Sequence, residues 1–126
     1  MADCRKILII RKVMLMPERI HNIIYQFSQQ LKAILGDHLS KVIVYGSYAR
    51  GDYQANSDVD VMILVDLAEE EIKKIENEIY DLAFEIEMNR GIDISPVIKN
   101  EQQYEYWVDA LPFYRNVREE GVVIGG

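Results

Sequence analysis

Residues 41–65 read KVIVYGSYARGDYQANSDVDVMILV, and the fold turns on this stretch. Lys41–Tyr45 is a β-branched run suited to a buried strand. It stops at Gly46-Ser47-Tyr48-Ala49-Arg50-Gly51, crosses a polar loop over Asp52–Ser57, and resumes as a second strand over Asp58–Val65. Successive strand residues face opposite sides, so Asp58 and Asp60 point one way while Val59 and Val61 point the other.

Helical patterns flank this pair of strands. Pro17 opens the first, with Ile20, Ile23, Ile24, Phe27, Leu31, Ile34 and Leu35 on one stripe and Gly36 as its stop. The second runs over Glu69–Arg90, with Ile72, Ile75, Ile79, Leu82, Ala83 and Ile86 inward and Gly91 at its end. A third strand follows over Ile92–Ile98, where Pro96 indicates an edge strand or a bulge. A last helical region covers Glu101–Glu119, interrupted by Pro112 and closed by Gly121. Within it Trp107, Val108 and Leu111 read as core residues. The expected order is α-β-β-α-β-α, an α/β (α+β) domain with a small mixed sheet and helices packed on one face. Residues 1–16 read as a leader or an edge strand, and residues 17–126 as a single domain.

The chain has 126 residues with 21 acids and 14 bases, a net charge of −7. The acids are concentrated: Asp52–Glu87 holds twelve against two bases. A surface so acidic argues against tracking the phosphates of a nucleic acid and suits metal ions or a basic partner. No apolar run reaches the roughly 18–20 residues of a membrane span. One cysteine excludes an internal disulfide framework. The cytosol is the expected compartment.

Three features carry chemistry. Gly46-Ser47 directly after a strand permits a sharp turn whose N–H groups and hydroxyl can donate to phosphate oxygens. Asp58 and Asp60 lie side by side, a repulsion that a divalent cation would neutralise, and oxygen ligands point to magnesium or manganese. Asp93, flanked by Ile92 and Ile94, heads the third strand. If that strand neighbours the second, three carboxylates meet at one sheet edge. Such an arrangement suits phosphoryl-type chemistry on a nucleoside triphosphate, with Asp93 as base or metal ligand. Tyr48 and Tyr53 flank the turn, either to stack on a base or to line the loop.

Gly46-Ser47, ten residues, then Asp58-Val59-Asp60 resembles the GSx10DxD signature of the polymerase-β-like nucleotidyltransferase superfamily. GSYARGDYQANSDVDVMILVD is similar to the minimal nucleotidyltransferases in particular, the likeness running from about His38 to Asp93 and again over FYRNVREEGVVI, residues 113–124. The resemblance implies the polymerase-β-like fold, ATP as substrate and Mg2+ (or Mn2+) as cofactor. By position, Ser47 would bind the triphosphate beside Gly46, Asp58 and Asp60 would ligate the metal, and Asp93 would be the third catalytic carboxylate. Arg50 would approach phosphate or substrate, or form a structural ion pair with an acid such as Asp52.

Minimal nucleotidyltransferases are commonly paired with a helical HEPN-domain ribonuclease toxin. The resemblance therefore implies an antitoxin that transfers AMP to a tyrosine of its toxin. Two rivals stand beside it: an antitoxin that neutralises by binding alone, and a small-molecule enzyme of the aminoglycoside type, working as a homodimer or with a helical subunit.

Overall fold

The computed structural model describes residues 16–126. The leader expected over residues 1–16 therefore lies outside the described residues, apart from Met16, which is buried in the core.

The apolar run after Asp58 becomes the central strand. In β2 (Val59–Val65), Val59 and every residue from Val61 to Val65 is 0% exposed. On one side it pairs antiparallel with β1 (Leu39–Tyr45), Tyr45 opposite Asp60 and Leu39 opposite Val65. On the other it pairs in parallel with β3 (Ile94–Asn100), Val59 opposite Ile94 and Val65 opposite Asn100. A parallel neighbour needs a crossover, and the helix between β2 and β3, Glu69–Arg90, supplies it. A fourth strand, β4 (Val122–Gly125), lies antiparallel on the far side of β1, giving the order β3-β2-β1-β4.

The helices, in chain order, are α1 (Glu18–Leu35), the single turn α2 (Ser47–Arg50), α3 (Glu69–Arg90), α4 (Glu101–Trp107) and α5 (Pro112–Glu120). Strand alternation sorts the core into two layers. Val42, Val44, Val61, Ile63 and Val65 meet Ile20, Ile24, Phe27 and Leu31 of α1 and Ile72, Ile79 and Ala83 of α3. Ile43, Met62 and Leu64 face the other way, onto Tyr104, Val108 and Val117. Fully burying one such side chain is worth about 1.5–3 kcal/mol.

Several expectations are corrected. Helices cover both faces, not one, because Met62 and Leu64 also need a cover and α4 and α5 provide it. The third strand starts at Ile94, two residues later than its pattern suggests, and Pro96 lies within it on the sheet's edge. Pro112 splits the last helical region by opening α5 at its first turn, where its missing N–H costs nothing. The closing residues form a strand that the pattern did not announce. Trp107 and Leu111 are 45% and 42% exposed, since the inward face runs through Tyr104 in α4 and Val108 at its C-cap, one helical turn apart.

Candidate active site

The register gathers one end of every strand. β1 ends where β2 begins, β3 begins beside β2, and β4 begins beside Val44. Gly46-Ser47, Asp58, Asp60, Asp93 and the residues preceding β4 therefore share one rim of the sheet.

Gly46 makes the turn possible. Its backbone sits at φ 75°, ψ −151°, a combination that essentially only glycine adopts. A Cβ there would stand 2.4 Å from Asp60 Oδ2, so the missing side chain lets the carboxylate lie against the turn. The amides of Ala49 and Arg50 donate to the Gly46 carbonyl at 3.1 and 3.0 Å, closing α2. The N–H groups of Ser47 and Tyr48 open that turn and have no acceptor within it.

The three predicted carboxylates come together as a chain of neighbours. The Asp60 carboxyl is pushed up, first by burial and then by the negative charge of Asp58, with Arg50 opposing. The Asp93 carboxyl is also raised, first by desolvation, then by the charge of Asp58 and a hydrogen bond shared with it, with a smaller contribution from Glu87. Ser95 Oγ donates to Asp58 Oδ2 at 3.4 Å, and the Val59 amide donates to the Asp93 carbonyl at 2.9 Å, fixing Asp93 at the mouth of β3.

Among the described residues no group of three or more His, Cys, Asp or Glu side chains closes into a metal cage. The donors nevertheless fit a hard divalent cation. They are all carboxylate oxygens, and two of them, Asp60 and Asp93, have their proton affinity raised first by burial and then by the charge of Asp58. Mg2+ is typically held by one or two carboxylates and completes its shell with substrate phosphates and water.

Arg50 forms the ion pair with Asp52, Nε to Oδ2 at 3.2 Å. It also pairs with Glu120, which the sequence reading did not single out. Glu120 accepts from Arg50 Nη1 at 3.2 Å and from the Gly46 amide at 3.2 Å. One signal was available: acids at a helix C-terminus oppose the dipole, and Glu119-Glu120 end α5.

Aromatic pairs flank the rim. Tyr48 and Tyr53 stack on each other, centroids 4.5 Å apart and planes within 8°. Tyr45, opposite Asp60, meets Phe113 edge to face at 5.6 Å. The Tyr45 hydroxyl is pushed up to about 12 by burial and then by Asp60. Asp58 and Asp93 are exposed at the rim and Asp60 is half-buried. A cleft of about 230 Å3 lies elsewhere, between α3 and β3, and none of the rim residues lines it.

A turn that offers N–H groups beside paired carboxylates is equipped to hold a metal-bound polyphosphate. The nucleotidyltransferase domain family matches residues 24–123, which take in the whole rim. The chain belongs to that family. It is a nucleotidyltransferase, and its mixed four-stranded sheet is the fold expected of one. It is similar to two inferred protein adenylyltransferases of Methanocaldococcus jannaschii. One is 39% identical over 95 residues, 75% of this chain and 94% of the relative. The other is 32% identical over 101 residues, 80% of this chain and 93% of the relative. Two solved structures share its fold. An inferred nucleotidyltransferase of Sulfolobus solfataricus aligns with a TM-score of 0.57 at 17% identity, covering 92% of this chain and 85% of its own. A toxin–antitoxin structure with AMP-PNP aligns at 0.50 and 18% identity, covering 81% and 73%. Among the described residues of this nucleotidyltransferase no helix is long and apolar enough to cross a membrane.

Proposed function

We propose that this nucleotidyltransferase transfers AMP from ATP to a tyrosine hydroxyl of a HEPN-domain toxin, and that it serves as the antitoxin of that pair. The observation that carries the reading is the placement of the Asp60 carboxylate against the Gly46 turn, with Asp58 and Asp93 beside it. The relatives named as protein adenylyltransferases and the toxin–antitoxin neighbour with AMP-PNP support the acceptor class.

Gly46, Ser47 and the first amides of α2 receive the β- and γ-phosphates, with Arg50 at their flank. Asp58, Asp60 and Asp93 hold Mg2+, which when bound screens the phosphate charge and stabilises the charge that develops on the leaving group. The acceptor oxygen attacks the α-phosphorus in line. The new O–P bond forms as the bridge to the β-phosphorus breaks, and pyrophosphate leaves with the bonding electrons. The hydroxyl proton passes to the Asp93 carboxyl oxygen that the metal leaves free.

The exposure of Asp58 and Asp93 at the rim supports a macromolecular acceptor, which can reach carboxylates that face solvent. The outer surface of α3 supports a basic one. Phe84 and Met88 are 59% and 69% exposed there, in line with exposed Tyr80, and acids surround the stripe. A second copy of so acidic a helix would be repelled, whereas a cationic protein with an apolar ridge complements it.

The test combines the protein, α-labelled ATP, Mg2+ and a HEPN-domain toxin. Label is expected on a toxin tyrosine, accompanied by loss of toxin activity, and is expected to disappear with Asp58→Asn/Asp60→Asn. Full neutralisation by that double variant would instead make the protein a non-catalytic binder.

A further inference from the structure

Of the two aromatic pairs at the rim, one is already stacked and one is not. Tyr53, 37% exposed, lies parallel on Tyr48, 6% exposed, so each of these rings already has a stacking partner. Phe113 differs. It is 44% exposed and has two aromatic neighbours, Tyr45 at 81° and Tyr114 at 47°, neither parallel to its plane. A flat ring held at an angle by its neighbours, with no ring lying along it, offers a face for offset stacking.

Its place in the fold matters equally. Tyr45 stands across the strand pair from Asp60, and Phe113 lies one ring beyond Tyr45. A single side chain thus separates the candidate metal carboxylate from the exposed ring. A nucleotide held by its phosphates at Asp60 carries its base on the far side of a ribose, and Phe113 is the exposed ring next beyond Tyr45. Phe113 and Glu120 sit near opposite ends of α5, so one helix carries both the exposed ring and the carboxylate that accepts from the Gly46 amide.

We propose that Phe113 is the nucleobase-stacking residue of the nucleotide site, with Tyr45 as the positioning residue that orients it. The inference rests on the nucleotide-binding reading above. Stacking on an unadorned ring carries no hydrogen-bond code, so the preference it gives is for the larger π-face, purine over pyrimidine.

Equilibrium binding separates the two claims. ATP, UTP and inorganic tripolyphosphate are titrated in Mg2+ against the wild type, Phe113→Ala, Phe113→Trp and Tyr53→Ala, with thermal melting as the folding control. Phe113→Ala is expected to weaken ATP by about tenfold or more, to narrow the ATP-over-UTP preference, and to leave tripolyphosphate within about twofold. Phe113→Trp is expected to retain ATP. Unchanged ATP affinity in Phe113→Ala overturns the inference alone, as does a parallel loss of ATP and tripolyphosphate or a selective ATP loss in Tyr53→Ala. A wild type that binds neither ATP nor tripolyphosphate overturns the inference together with the reading beneath it.

Discussion

Gly46→Ala tests whether the turn and the carboxylate are one device. The substitution carries two separable costs. The first is the backbone, since φ 75°, ψ −151° strains any residue with a Cβ, at about 1–3 kcal/mol. The second is positional. The new methyl would stand 2.4 Å from Asp60 Oδ2, where ordinary contact begins at 3.4 Å. The carboxylate must therefore retreat by about 1 Å, a misplacement that can cost about 100-fold in a site built for close geometry. Gly36→Ala isolates the first cost. Its backbone is similarly glycine-like, φ 59°, ψ −133°, and nothing lies within 4 Å of the added Cβ. Urea unfolding is expected to show comparable losses of stability for the two variants. Calorimetry with Mg2+ and ATP is expected to separate them: Gly36→Ala binds like the wild type, and Gly46→Ala loses tenfold or more. Equal nucleotide affinity in the two variants would refute the coupling of Gly46 to Asp60.

Glu120→Gln removes a negative charge from the Gly46 amide while keeping an acceptor oxygen. Triphosphate affinity is expected to rise several-fold, on the order of the 1 kcal/mol of a partly exposed pair, and a titration showing no gain would deny Glu120 any role as a competing anion. Tyr45, raised to about 12, favours the fold while protonated. That contribution is complete below pH 10 and fades as pH climbs through about 12. Denaturant unfolding between pH 9 and 12 should therefore fall more steeply in the wild type than in Tyr45→Phe. Ile63→Ala, at the fully buried centre of β2, should cost about 2–5 kcal/mol in the same assay. On the proposed reading, Phe84→Arg on α3 is expected to abolish co-purification with a HEPN-domain toxin while ATP binding stays within about twofold, and an intact complex would move the docking surface elsewhere.

What could be read from the sequence was what local chemistry encodes. β2 was legible because two acids at alternate positions precede an apolar run, and because a glycine that ends a strand invites a turn. Asp93 was legible as an acid between isoleucines, although its meaning depended on β3 lying beside β2. β4 was illegible for a physical reason. Val122–Gly125 is too short to show a period, and it is a strand only because β1 has a second edge to pair. Trp107 misled because an aromatic at helical spacing resembles core, yet the inward face here passes through Tyr104 and Val108 and leaves Trp107 beside it. Glu120 reaches Gly46 and Arg50 across 74 and 70 positions of the chain; its place at a helix C-terminus marks it as unusual, but no local pattern reports which residues it meets.

The charges at the rim explain why the site stands open and yet is not indifferent to what enters. Asp58, Asp60, Asp93 and Glu120 gather around a turn that offers amides to an anion, and the guanidinium beside them is already shared between Asp52 and Glu120. A triphosphate arriving alone would add charge where Asp60 and Asp93 already resist their own ionisation. Protonation relieves that repulsion at low pH, and a divalent cation relieves it at neutral pH. On the proposed reading, cation and triphosphate are then thermodynamically linked, each raising the affinity of the rim for the other. The linkage requires equal coupling in both directions: the factor by which Mg2+ tightens ATP must equal the factor by which ATP tightens Mg2+. A rim that binds ATP with the same affinity in chelator as in Mg2+ would mean that the carboxylates do not govern nucleotide entry.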